Sequence, residues 1–119
     1  MWRRLALSVS EIADLRYAKV APWIGLSGGT LNVRDGAANA KQLGPTDEVA
    51  GGILELARAI ESGQMPEAEM VLAADSPLSR HIVVEGHNRA TAFVIAQPPV
   101  EEVEVIVGYS KGVRDWDCL

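Results

Sequence analysis

The middle of the chain carries the clearest helical spacing of apolar residues. Four of them share one helical face, on which positions three or four apart are neighbours: Val49, Ile53, Leu56 and Ile60. Thr46 and Asp47 are good N-terminal caps, and Gly63 tolerates the left-handed conformation in which many helices end. The pattern predicts one helix between these caps.

Two short apolar runs follow this helix, Met70–Ala74 and residues 81–85, and a turn-forming cluster at residues 75–77 separates them. We expect two strands that pair antiparallel. Apolar residues are again spaced as on one face of a helix over residues 88–96, which predicts a second helix. The alternation of valine and glutamate at residues 102–107 predicts a last strand. The order of elements is therefore helix, strand, strand, helix, strand.

The residues before this region give weaker signals. Ser8 and Glu11 form a capping-box pattern, which predicts a short first helix that cannot continue through Pro22. Residues 22–25 are compatible with a strand edge, and an alanine-rich run interrupted by Gly36 is weakly helical. Local patterns alone leave this third of the chain without a clear architecture.

Together these elements predict one small α/β (α+β) domain over residues 1–119, with a small mixed sheet flanked by helices. Its core spans about residues 46–108, and residues 1–45 form an N-terminal extension packed on that core. A chain of this length can bury a core without disulfide staples, and 48% apolar residues suffice to build it. We expect residues 111–119 to be a loosely held tail unless Trp116 docks.

Composition narrows the classes of function. The formal net charge is −5 and the eleven Lys and Arg residues are scattered, so broad adhesion to DNA is not expected. Cys118 is the only cysteine, which excludes an intramolecular disulfide and a cysteine-based metal site. Because no apolar run reaches membrane-spanning length and no clear signal peptide is present, we expect a cytoplasmic protein without a membrane partner.

The segment Glu85-Gly86-His87-Asn88-Arg89 carries the strongest chemical signal. It lies where a predicted strand ends and a helix begins, so unpaired backbone N–H groups and the positive end of the helix dipole face solvent. Gly86 allows a sharp turn close to a phosphate, and Arg89 offers a planar fork to the same oxygens. Asn88 and Thr91 can either reach ligand oxygens or cap the helix.

Several residues of this segment have more than one role open to them. Arg89 either binds phosphate or pairs with a carboxylate such as Glu85, a surface contact worth about 0–1 kcal/mol. Glu85 can act as a general base, hold Mg²⁺ beside a nucleotide or only orient Arg89. His87 can donate to a phosphate or act as an acid or base near neutral pH.

The element order over residues 49–107, with Gly-x-x-Arg at the start of its second helix, resembles the ParB/sulfiredoxin superfamily. The resemblance rests on residues 81–92, whose core Glu85-Gly86-His87-Asn88-Arg89 is similar to the acidic-Gly-His-x-Arg motif of ParB-like domains. Members bind nucleotides with this turn on the phosphates, and they include CTP-hydrolysing partition clamps, ATP-dependent sulfiredoxins and free-serine kinases. The resemblance implies phosphate binding by residues 86–89 and leaves the chemistry open.

Two branches of the superfamily fit this chain poorly. Sulfiredoxins place their nucleophilic cysteine directly after the motif glycine, and this chain has His87 there. Chromosome-partition ParB proteins continue into a helix-turn-helix and a dimerisation region, which do not follow before Leu119. The resemblance therefore implies a stand-alone ParB-like domain.

Other residues give weaker functional signals. Consecutive glycines allow backbone N–H groups to converge on an oxyanion. The following residues therefore form either a second anion-binding loop or a flexible connector: Ser27, Gly28, Gly29, Thr30 and Arg34. Trp23 and Trp116 can stack on a base or serve ordinary packing. His81 reads as a strand residue, because its spacing to His87 does not indicate a metal site.

From these signals we expect a nucleotide-binding domain whose ligand is a nucleotide triphosphate with Mg²⁺, or another phosphorylated small molecule. If the protein is an enzyme, NTP hydrolysis or phosphoryl transfer with Glu85 and His87 as catalytic residues is the natural class. The alternative is a non-catalytic module in which ligand favours a homodimer or a protein partner. A DNA-binding or nuclease domain fits the acidic composition less well.

Overall fold

Five strands and five α-helices form in the part of the chain that the computed structural model describes, residues 1–64, 69–97, 100–115 and 119. The strands are β1 Trp2–Leu7, β2 Arg16–Tyr17, β3 Met70–Ala74, β4 Ile82–Glu85 and β5 Val103–Tyr109. The helices are α1 Val9–Ala13, α2 Ala21–Leu26, α3 Val33–Leu43, α4 Glu48–Glu61 and α5 His87–Ile95. A 3₁₀ turn, Val113–Asp115, follows β5.

The strands form one mixed sheet in the order β1-β5-β3-β4-β2. β1 pairs antiparallel with β5, and β3 pairs antiparallel with β4. The other two neighbours, β5 with β3 and β4 with β2, run parallel. The predicted α+β class with a small mixed sheet is confirmed.

Helix α5 occupies the centre of the helical layer, where it packs against α1, α3 and α4. Its inward positions are small or apolar, and all of them are buried: Ala90, Ala92, Phe93 and Ile95. The sheet contributes alternate residues of β5 to the same core, Val103, Val105 and Val107. Because α5 is packed on several sides, its first turn is held firmly at the end of β4.

The helix predicted between Asp47 and Gly63 is confirmed as α4. The Asp47 carboxylate accepts the N–H groups of Val49 and Ala50, and Gly63 adopts a left-handed φ of +93° after the helix ends. The strands β3 and β4 form the predicted antiparallel pair, and α5 and β5 follow in the predicted order. Capping and periodicity are strong predictors here because local and tertiary preferences agree.

Two predictions near the N-terminus are corrected. Residues 22–25 belong to helix α2 and not to a strand edge, since Pro22 lies in the first turn, where a missing N–H costs nothing. The first helix has its predicted capping box but ends at Ala13. The chain then enters β2, because burial of Tyr17 and pairing with β4 outweigh helical continuation.

The sequence patterns gave no sign of β1 or β2. Residues 1–45, expected to form an extension, contribute both of these strands to the sheet. Arg3, Arg4 and Trp2 are exposed on β1, so this edge strand shows little apolar alternation. In the tail, Val113 is fully buried and its N–H donates to Asp75 Oδ1 at 2.9 Å, whereas Trp116 lies outside the described residues.

No helix in the described segments is both long enough and apolar enough to cross a bilayer.

Gly36 makes room for the buried ring of Tyr17. A methyl group at Gly36, in the first half of α3, would overlap the Tyr17 ring and hydroxyl. We expect Gly36→Ala to lower the free energy of unfolding by about 1–3 kcal/mol, because overpacking moves a buried side chain. Urea unfolding of both proteins measures the change.

Gly52→Ala is the matched control, because Gly52 also lies inside a helix and a methyl group there meets nothing within 4 Å. It should raise stability by about 0.5–1 kcal/mol through helix propensity. Equal effects of the two substitutions would contradict the packing role of Gly36.

Candidate functional site

The turn between β4 and α5 requires glycine for two reasons. Gly86 is the N-cap of α5 and has φ +93° and ψ +31°, a left-handed conformation that side chains disfavour. A Cβ at this position would also lie 2.8 Å from Met70 Cγ and 3.2 Å from Met70 Cα. The absence of a side chain therefore lets the turn pack directly against Met70 of β3.

The first turn of α5 has free hydrogen-bond donors. The Ala90 N–H begins the helical ladder by donating to the Gly86 carbonyl at 2.9 Å, and no side chain caps the helix. The backbone N–H groups of His87, Asn88 and Arg89 have no acceptor among the described residues. Three donors and the positive end of the helix dipole thus face the same space.

The Arg89 side chain lies beside this turn. Its Nη1 is 3.3 Å from the position that a Cβ on Gly86 would take. No carboxylate in the described part of the chain pairs with Arg89, and Glu85 is exposed at the end of β4. The alternative in which Glu85 neutralises Arg89 is therefore not seen, and the guanidinium is available to a ligand.

His87 belongs to an aromatic cluster at the side of the turn. Its ring stacks on Trp23 at a centroid distance of 4.9 Å and lies 5.9 Å from the Tyr17 ring. Its Nε2 accepts the Ala18 N–H at 3.4 Å. Burial lowers the pKa of His87, and the opposing effect of the Glu85 charge is smaller. His87 is thus a neutral ring that ties α5 to the connection between β2 and α2.

Thr91 does not face the ligand side of the turn. The side chain is fully buried, its Oγ1 donates to the His87 carbonyl at 2.8 Å, and the Tyr17 hydroxyl bonds the same oxygen. The prediction that Thr91 contacts phosphate therefore finds no support. Thr91 instead stabilises the first turn of α5 from its buried side.

Tyr17 is the residue of this region that sequence reasoning missed. It is fully buried, and burial raises its pKa to about 12, so its hydroxyl stays protonated at neutral pH. With Thr91 donating to the His87 carbonyl, the Tyr17 hydroxyl donates to Thr91. No local pattern signals such a role, because Tyr17 stands between Arg16 and Lys19 in a stretch of mixed polarity.

The predicted second anion loop uses its donors internally. The N–H groups of Ser27, Gly28 and Gly29 donate to carbonyls of α2 at 3.1, 3.1 and 2.9 Å, which closes the end of that helix. Arg34 pairs with Asp14 at 2.7 Å. These contacts favour the connector alternative for the loop.

A carboxylate further disfavours an anion at this loop. Asp35 Oδ2 accepts from the Thr30 hydroxyl at 2.7 Å, and hydrogen bonds from Thr30 and Asn32 lower the pKa of Asp35. A negative charge is thus already held beside Thr30. Of the two predicted anion sites, the turn at residues 85–89 is the one with three consecutive backbone donors that have no acceptor among the described residues.

A protein-only metal site is not present in the described segments, where no three His, Cys, Asp or Glu side chains are grouped to hold an ion. Glu85 can supply one carboxylate near the turn. Mg²⁺ is commonly held by one or two carboxylates together with phosphate oxygens and water. The predicted Mg²⁺ is therefore compatible with this site only as a companion of the phosphates.

Comparisons of the chain with protein-family models, curated proteins and solved structures find no match. The functional interpretation of the turn therefore depends on its geometry and on the resemblance carried by residues 81–92.

The position of His87 makes stability depend on pH. Since burial lowers its folded-state pKa below the usual value near 6.5, the unfolded chain takes up a proton that the folded chain excludes. This contribution to stability is complete above about pH 6.5 and is lost as pH falls towards the folded-state pKa. We expect His87→Gln to weaken the fall in unfolding free energy between pH 7.5 and 5.5.

Urea unfolding at several pH values measures this dependence, with His81→Gln as the control outside the aromatic cluster. An unchanged slope in His87→Gln would show that the half-buried imidazole does not link protonation to folding.

Proposed function

We propose that the turn of residues 85–89 binds the phosphate chain of a nucleotide. The observation that carries the proposal is the group of three free backbone donors, at His87, Asn88 and Arg89, beside an unpaired guanidinium. Each of these groups donates hydrogen bonds and carries positive or partial positive charge. The complementary ligand is a compact anion with several acceptor oxygens.

A phosphate chain fits this arrangement better than a single carboxylate does. Three N–H groups and the two terminal nitrogens of Arg89 offer more donors than the two oxygens of a carboxylate can satisfy. Gly86 has no side chain, so the Arg89 Nη1 can lie close to the backbone of the turn, 3.3 Å from where a Cβ would stand. The exposed side chain of Asn88 can add a further donor at the rim.

The resemblance to the ParB/sulfiredoxin superfamily supports the same function, because its members place phosphates on the Gly-x-x-Arg turn. In this chain the matching residues are Gly86 and Arg89. Under this proposal Glu85 lies beside the bound phosphates and holds Mg²⁺ or accepts a proton. NTP hydrolysis and phosphoryl transfer both remain within this class of chemistry.

A second candidate function is a binding module without turnover, in which the nucleotide favours a homodimer or a protein partner. The position of His87 favours the binding module. Its ring stacks on Trp23 and its Nε2 accepts the Ala18 N–H, so this nitrogen is not free to take a proton from a substrate. Glu85 is then the one predicted catalytic side chain that faces solvent. The two functions therefore differ in whether the Glu85 carboxylate is required for activity.

Nucleotide binding is tested first by thermal shift with ATP, ADP, CTP and GTP, each with and without Mg²⁺. A nucleotide present at 100 times its dissociation constant adds about 2.7 kcal/mol to stability. We expect Arg89→Ala to abolish the shift by at least one of these nucleotides, because it removes the charged fork.

Arg58→Ala is the matched control, since Arg58 is an exposed arginine near the end of α4. It should keep the full shift. If no nucleotide stabilises the wild type, or if both variants respond alike, the turn does not bind nucleotides.

The substitution Glu85→Gln separates catalysis from binding. We expect it to leave the affinity for nucleotide without Mg²⁺ within about threefold of the wild type, because the carboxylate makes no contact with Arg89. If Glu85 acts in turnover, release of inorganic phosphate should fall about 100-fold or more, the scale of a lost general base. Equal release by both proteins would favour the binding module.

A further inference from the structure

A cleft lies apart from the Gly86 turn. It has a volume of about 420 Å³ and runs along the helix-covered side of β1, between α1 and the loop before β4. This volume lies within the range of small-molecule sites. Its lining residues do not include any of residues 85–89, so the cleft is independent of the proposed phosphate site.

The floor of the cleft is apolar. Leu5 and Leu7 of β1 line it, together with Leu15, which follows α1. Leu7 and Leu15 belong to the buried core, so the floor is firm. An apolar group of a ligand can pack on this surface.

A hydrogen-bonded pair, His81 and Tyr109, lies at one end of the cleft. His81 Nδ1 is 2.8 Å from the Ser79 carbonyl, which can only accept, so this nitrogen carries the proton of the neutral ring. His81 Nε2 is then the acceptor for the Tyr109 hydroxyl at 3.0 Å. The Tyr109 oxygen therefore keeps lone pairs for a donor on a ligand.

The charges around the cleft favour an anion. Asp14 pairs with Arg34 at 2.7 Å, which neutralises its charge. Glu11 Oε1 accepts the neutral Ser8 N–H at 2.9 Å and keeps its charge, which the two lining cations Arg3 and Arg80 exceed by one. Arg3 also lines the cleft. It has no hydrogen bond or ion pair with any residue that the structure describes.

Arg80 has a different position. It donates to the Asp14 carbonyl at 3.0 Å and to Asn32 Oδ1 at 2.6 Å, so its guanidinium is largely used in holding the loop. The cation that remains for a ligand is Arg3.

We propose that this cleft binds a small hydroxy acid with an apolar body. Its carboxylate pairs with Arg3, its hydroxyl donates to the Tyr109 oxygen, and its apolar group packs on Leu5 and the neighbouring leucines. His81 is a positioning residue, because it fixes the direction of the Tyr109 hydroxyl.

Four probes test each element of this ligand: mandelate, phenylacetate without the hydroxyl, acetate without the ring, and phenethylamine with the opposite charge. Titration of ¹⁵N-labelled protein should shift the amides of Leu5, Leu15 and Tyr109 with mandelate. Phenylacetate should bind about five- to tenfold more weakly, the loss of one hydrogen bond. Acetate and phenethylamine should leave these amides unmoved.

Arg3 and Arg4 provide a matched pair of variants, because they are neighbours on β1 whose side chains point to opposite faces of the sheet. Arg4 lies outside the cleft and bonds Glu69. We expect Arg3→Gln to weaken mandelate binding at least tenfold and Arg4→Gln to change it less than twofold. Tyr109→Phe should remove the preference for mandelate over phenylacetate.

The proposal is overturned if mandelate at millimolar concentration shifts none of these amides, if phenethylamine binds as well as mandelate, or if both arginine variants respond equally. None of these results bears on nucleotide binding, which uses other residues.

Discussion

The hydrogen-bonded chain from Tyr17 through Thr91 to the His87 carbonyl is the constraint on which the site depends. The Tyr17 and Thr91 side chains are fully buried, and a buried hydroxyl without a partner costs about 1–3 kcal/mol. The chain satisfies them only when β2, α3 and the first turn of α5 are in register, since Gly36 must also admit the Tyr17 ring. The shape of the anion-facing turn is thus set by contacts on its buried side.

The sequence predicted those parts of the molecule where local and tertiary preferences agree. The caps of α4, the β3 and β4 pair and the glycine turn before α5 all have strong local signals. Helix α2 has no clear local signal, because Pro22 usually breaks a helix and here occupies the first turn, where proline is tolerated. β2 was missed because two residues carry no periodicity, and its place is set by pairing with β4.

The same distinction explains the candidate site. Gly86 and Arg89 could be found from their spacing, since the turn and the helix start are local features. The burial of Thr91 and the positions of Tyr17 and Trp23 beside His87 could not be predicted from spacing. They depend on how α2 and β2 pack against α5. Spacing identifies which residues share a turn, and packing decides which of them face the solvent.

The pairing of β1 with β5 has a consequence for how the chain acquires this fold. Trp2 pairs with Gly108 and Leu7 with Val103, so the first strand finds its partner about a hundred residues later. Contacts of such sequence separation are entropically costly to form early and are associated with slower folding. On the ribosome, β1 must wait with an exposed edge until β5 has emerged. The inner wall of the cleft beside Arg3 is therefore assembled late, whereas the β3, β4 and α5 segment can form its contacts from residues close in sequence.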